Sequence, residues 1–329
     1  MPIIDLHCDT IMALMLASRN NENKNLFSND LMLSIEKMNK GNYMAQCLAM
    51  FVPFTVDNPY KLCKDMLVRA KEEVEENSKY IRLAYNTNDI INNYNENKLS
   101  AILTIEEGGV VQNSLENLEE FYELGVRMIC LNWNFENGIG HPNYGLILPS
   151  GKPDFTVPNT ENGLTEFGFE MIKRMNELGM IIDVSHLSDK GFYDCISVSK
   201  YPIIASHSNS RVCCNHVRNL TDDMIIKLNE NGGIMGMNYC PQFLNNDDEI
   251  GKKTVQEVVR HIKYIKELVG VDIIALGSDF DGISNDIELN NAGLLNDLLS
   301  ALRAEGFTDE EIDKITYKNV LRVFNAVLR

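Results

Sequence analysis

Eight short apolar runs punctuate the chain, at 2–5, 43–52, 100–105, 127–131, 180–184, 202–205, 233–237 and 272–276. None of them alternates strictly between apolar and polar residues, so each predicts a strand buried on both faces, as in a parallel sheet. The stretches between them carry the helical period. Leu31, Ile35 and Met38 predict a short amphipathic helix over 28–40. The stretch 58–83 predicts one long helix whose charged face, Lys71 to Glu76, is solvated. Further helices are predicted over 115–124, 165–178, 188–198, 221–230, 252–269, 291–304 and 308–327, the last opened by a capping box, Thr308 with Glu311. The Asn-rich segment 86–97 reads as a loop with a marginal helical turn. A loop at 135–164, rich in Gly, Pro and Asn, is long enough to suggest a functional role.

Strand and helical segment, repeated eight times, predict a single α/β domain over 1–329, a (β/α)8 TIM barrel. An open doubly wound sheet is the alternative. It calls for a glycine-rich phosphate loop after an early strand, and none is present; Gly232-Gly233-x-x-Gly236 is the entry to a strand.

Composition narrows the partners. With 44% hydrophobic residues the 329-residue chain has ample core, and a formal charge of −17 argues against nucleic acid or an anionic membrane as partner. Eight scattered cysteines with no Cys-x-x-Cys pair suit reduced thiols in the cytoplasm. The N-terminus has no basic start, Ile11 to Ala17 is too short for a signal core, and no run approaches the roughly 20 apolar residues of a membrane span. Asn219-Leu220-Thr221 is better read as a helix cap at Thr221 than as a glycosylation site. A cytoplasmic protein is the expectation.

Candidate chemistry falls at strand ends. His7 and Asp9 leave the first strand on one face, and Glu106, His186, His207 and Asp279 end the third, fifth, sixth and eighth. Barrel sites of this kind lie at the C-terminal ends of the strands. Three imidazoles and three carboxylates there point to a metal site; zinc takes both ligand types. They exceed what one ion needs, and two ions sharing a carboxylate would use them. His141 and His216, in loops near the mouth, and Tyr239, after the seventh strand, are candidate substrate contacts, whereas His261 reads as a helix residue.

Seven stretches resemble the membrane (renal) dipeptidase family of metal-dependent amidohydrolase barrels. They are Asp5-Leu6-His7-Cys8-Asp9-Thr10, Ile105-Glu106-Glu107-Gly108-Gly109, Gly163-Leu164-Thr165-Glu166-Phe167-Gly168, Ile182-Asp183-Val184-Ser185-His186, Ser206-His207-Ser208, Arg218-Asn219 and Gly277-Ser278-Asp279-Phe280-Asp281-Gly282. They follow family order across nearly the whole chain. The resemblance implies two zinc ions per chain, one on His7, Asp9 and Glu106, the other on Glu106, His186 and His207. Glu106 would bridge them, with Glu107 its competitor by one residue. It also implies a small dipeptide as substrate, cleaved by a metal-bridging hydroxide, with Asp279 as acid and base and Arg218 on the terminal carboxylate, in a homodimer.

The sequence departs from the family at one point. Trp133 stands where mammalian members carry a histidine, so either His141 replaces it or the role is filled differently. The secretion and lipid anchoring of the mammalian members are not carried over. The alternative activity is that of another binuclear-metal amidohydrolase, an amidase, lactonase or deaminase, and Arg218 favours the dipeptide. A non-catalytic metal barrel is disfavoured, because structural zinc sites are closed by four ligands.

Overall fold

A computed structural model of the chain describes residues 1–53, 55–245 and 250–329. Eight parallel strands form the barrel: β1 (Ile3–Asp5), β2 (Tyr43–Phe51), β3 (Leu99–Glu106), β4 (Val126–Cys130), β5 (Ile181–Asp183), β6 (Ile204–Ala205), β7 (Ile234–Met237) and β8 (Ile274–Leu276). They pair in chain order all the way round, and β1 closes the ring against β8, Asp5 opposite Leu276. Both faces of these strands are buried, which is why their sequences do not alternate.

Two apolar layers hold the barrel. The outer one packs the strands against the surrounding helices. The inner one joins early strand positions, among them Ile4, Met44, Ile181, Ile204 and Ile234, to Val320, Val323 and Phe324 of the terminal helix Asn319–Val327. That helix therefore plugs the end at which the strands begin. The opposite rim is left for the long strand-to-helix loops.

Local differences from the expected elements have physical causes. The helix expected over 58–83 is Pro59–Glu76. Asn77 ends it, donating its amide to Glu73 O at 2.8 Å, and Ile81–Leu83 then lies parallel to the start of β3 with Ile81 buried. The Asn-rich loop is the helix Thr87–Asn95: Asn86 Oδ1 accepts Asp89 N, and burial of Ile90 outweighs the low helix propensity of asparagine. The helix of 28–40 is confined to Ile35–Lys40 because Asn25 Oδ1 takes the N–H groups of Phe27 and Ser28 in a turn. The last expected helix is interrupted by a π-type turn at Lys314–Lys318, though its capping box forms. One helix that the apolar pattern did not announce, Thr10–Arg19, follows β1 directly. The loop 135–164 contains a small antiparallel pair, Leu146–Ile147 with Pro153–Asp154. Among the described residues, no helix is long and apolar enough to cross a membrane.

Two glycines set the spacing at the rim. A Cβ on Gly277 would lie 1.8 Å from Ser206 O, and one on Gly236 2.0 Å from the same atom. Because that neighbour is backbone, it cannot swing aside. Gly277→Ala is expected to cost about 1–3 kcal/mol of folding stability, measured by denaturant unfolding; an unchanged midpoint would mean that β6 shifts freely.

Candidate metal centre

The rim gathers residues from five strands. His7 lies two residues beyond β1, and Asp9 is the residue before the helix Thr10–Arg19. Regular pairing of β1 stops at Asp5 but resumes as a bridge between Cys8 and Phe280, which keeps His7 and Asp9 on one side. The buried Asp5 carboxylate fixes this corner, accepting His7 N at 3.0 Å, Gln46 Nε2 at 3.3 Å and Ser278 N at 3.2 Å.

Glu106 occupies the middle. Its Oε2 is 3.3 Å from His7 Nε2, and its Oε1 is 3.0 Å from His186 Nε2 and 3.6 Å from His207 Nε2. His7 Nε2 is also 3.6 Å from Asp9 Oδ2 and 3.9 Å from Asp279 Oδ1. The structure thus brings together His7, Asp9, Glu106, His186, His207 and Asp279, all buried. Glu107 turns away. With φ +90°, it accepts Gly109 N at 2.7 Å, Trp133 N at 2.8 Å and Asn137 Nδ2 at 2.6 Å.

The donor atoms suit a cation. His186 and His207 point Nε2 at one another across 2.9 Å, while their Nδ1 atoms face Asn134 Oδ1 at 2.8 Å and Ser206 Oγ at 2.7 Å. With both Nδ1–H groups donating outward, two lone pairs face each other, and a cation relieves that repulsion. His7 Nε2 and Asp9 Oδ1 are buried without a hydrogen-bond partner. Three atoms, one each from His7, Glu106 and His207, lie within 4.8 Å of one another, as do one each from His7, Asp9 and Asp279.

The protonation equilibria carry the same demand for positive charge. Burial, with Asp9 beside it, raises Glu106 to about 8, and burial raises Asp279 to about 6. Burial opposes charge on His7, yet Glu106 and Asp9 outweigh it and hold this imidazole well above its ordinary range. Burial, assisted by Arg218 and His7, keeps His186 and His207 well below theirs.

Several contributors were not singled out from the sequence. Asp183 Oδ2 accepts Ser206 Oγ at 2.5 Å, and Ser206 in turn holds the His207 ring. Asn238 donates to Asp279 Oδ2 at 2.9 Å. Asn134 holds His186. Gly282 leaves the space above the acids open, since a Cβ there would meet Asp9 Oδ2 at 2.1 Å and Asp279 Oδ1 at 2.5 Å. Glu107, His186, Asp279 and Asp281 all adopt positive φ, a concentration of backbone strain at one rim.

Two adjoining cavities open here. The inner one, about 360 Å³, is bordered by Glu106, His186, Asp279 and Trp133. The outer one, about 770 Å³, is bordered by Arg218 and His216. Arg218 is buried, with Nη2 3.3 Å from His207 O and Nε unpaired. His141 stands apart, tied to Gly163 O at 2.9 Å and Glu136 at 3.2 Å, and borders neither cavity. Tyr239 is fully buried edge-on to Phe280 and borders neither. His261 is a buried helix residue, with Nε2 2.9 Å from Leu244 O.

A parallel eight-stranded barrel with imidazoles and carboxylates at its C-terminal rim is of the metal-dependent hydrolase type. Sequence comparison is more specific. The profile of the membrane dipeptidase family, peptidase family M19, matches residues 1–329. Over 271 residues the chain is 35% identical to an uncharacterized protein of the pqqA 5′ region in Klebsiella pneumoniae, covering 82% of this chain and 97% of that one. Over 248 residues, 75% of this chain, it is 31% identical to dipeptidase tcpJ of Claviceps purpurea and spans 55% of that longer protein. In fold it is similar to a metallopeptidase of Rhodobacter sphaeroides, crystallised with a phosphinate mimic of L-Ala-D-Ala; the TM-score is 0.90 at 23% identity over 99% of both chains. The chain belongs to the membrane dipeptidase family and is a metallo-dipeptidase.

Proposed function

We propose that the chain hydrolyses dipeptides with two zinc ions, one of which would be held by His7 and Asp9 and the other by His186 and His207, with Glu106 shared between them. The observation that carries this is the position of Glu106, one carboxylate oxygen toward His7 and the other toward His186 and His207. The ions, when bound, supply an acidified water and a Lewis acid for the peptide carbonyl. Asp279, steadied by Asn238, takes the proton of the attacking water and delivers it to the leaving amine. Arg218 offers its guanidinium to the free carboxylate, which selects a two-residue substrate over an internal peptide bond. Trp133, beside Phe51 with rings 4.9 Å apart, walls the inner cavity next to the cluster.

The test is a dipeptide panel, run beside a lactone and an amino-heterocycle, with chelator and zinc add-back. Chelation should abolish dipeptide turnover, and zinc should restore it at two ions per chain. Turnover indifferent to chelator, or confined to the non-peptide substrates, would overturn the proposal.

A further inference from the structure

We propose that the outer cavity receives the side chain of the dipeptide's C-terminal residue and selects large apolar, above all aromatic, side chains there; this rests on the dipeptide hydrolysis proposed above. Asn134, Cys240 and Phe243 border both cavities, so the two lie side by side. Arg218 borders the outer one and lies against the backbone of His207. A dipeptide with its scissile bond at the imidazole–carboxylate cluster and its carboxylate on Arg218 has only its second residue between these points. One residue spans about 3.8 Å from Cα to Cα, so with the carboxylate on Arg218 the side chain of that residue stands beside the outer cavity that Arg218 borders.

Part of the wall of that space is aromatic, beside the side-chain amides of Asn134, Asn143, Asn215 and Gln242. The His216 ring lies between Phe155, stacked at 4.9 Å, and Phe243 at 4.6 Å, and Tyr144 meets Phe155 edge-on at 5.7 Å. Burial lowers His216 to about 4, so at neutral pH it adds no charge. Tyr144, Leu148 and Phe155 are 38%, 39% and 38% exposed, apolar surface that a substrate ring would cover. Among the described residues the one acid on the wall is Asp154, with Oδ1 accepting both N–H and O–H of Thr156, which disfavours an acidic side chain. At about 770 Å³ the cavity far exceeds what glycine or alanine fills.

The test compares kcat/KM for Ala-Gly, Ala-Ala, Ala-Leu, Ala-Phe and Ala-Glu in the zinc-loaded protein and in Phe155→Ala and Phe155→Leu. Ala-Phe should exceed Ala-Gly by at least about tenfold, and Ala-Glu should be poorest among the larger substrates. Phe155→Ala should collapse the Phe-to-Gly ratio, and Phe155→Leu should keep part of it, with zinc content and melting temperature of both variants at wild-type values. A flat profile, or one led by Ala-Gly, overturns the subsite while leaving dipeptide hydrolysis standing. Failure to cleave any dipeptide overturns both.

Discussion

Asp279→Asn is expected to retain its metal and lose about 10²–10⁴-fold in kcat, the usual contribution of a positioned acid–base group. The substitution keeps the shape and an acceptor oxygen for Asn238 Nδ2, so the corner that holds it survives. In the proposed centre His7, Asp9 and Glu106 hold the ion on this side and Asp279 is left for the proton, so the ion is expected to stay. The amide has no proton-accepting oxygen of carboxylate basicity, and both halves of the proton transfer fail together. Zinc content by elemental analysis and steady-state rates on one dipeptide decide the matter. A near-normal rate, or loss of metal in step with activity, would remove Asp279 from the acid–base role.

How far this site is legible in the sequence depends on which interactions are local. The barrel strands are largely apolar, and Glu106 ends β3 while His186 and His207 follow β5 and β6 within three residues, so these side chains are visible where the apolar runs stop, and the closed ring brings them to one rim. The supports for those side chains join positions far apart. Asn134 reaches His186 across 52 residues, Asn238 reaches Asp279 across 41, and Ser206 reaches Asp183 across 23. No periodicity marks such pairs. The positive φ of His186 and Asp279 is equally silent, because the strain is carried by packing around the rim and not by a glycine in the chain. Helix Thr87–Asn95 shows the same limit on a smaller scale: its asparagines argue for a loop, and burial of Ile90 and Asn93 decides for a helix.

The doubled acid at 106–107 yields the second large effect, because its two members are placed for different work. Glu106→Gln is expected to weaken zinc binding by more than about a hundredfold, since even partners one layer out commonly cost about 10–100-fold, and dipeptide turnover should vanish at ordinary zinc concentrations. An amide presents one oxygen and one NH₂, whereas the wild-type carboxylate faces His7 with one oxygen and His186 and His207 with the other. Either orientation of the glutamine therefore aims N–H groups at one side of the cluster. Glu107→Gln should behave in the opposite way. Its carboxylate takes three N–H donors from Gly109, Trp133 and Asn137 and approaches none of the imidazoles, so the amide leaves at least one buried donor opposed by another donor. A loss of about 1–3 kcal/mol in stability follows from such an unmet group, with zinc affinity largely kept. Measured side by side, zinc titration and thermal unfolding should separate the two variants cleanly. Metal loss in Glu107→Gln with Glu106→Gln still loaded would move the shared ligand by one residue and undo the assignment.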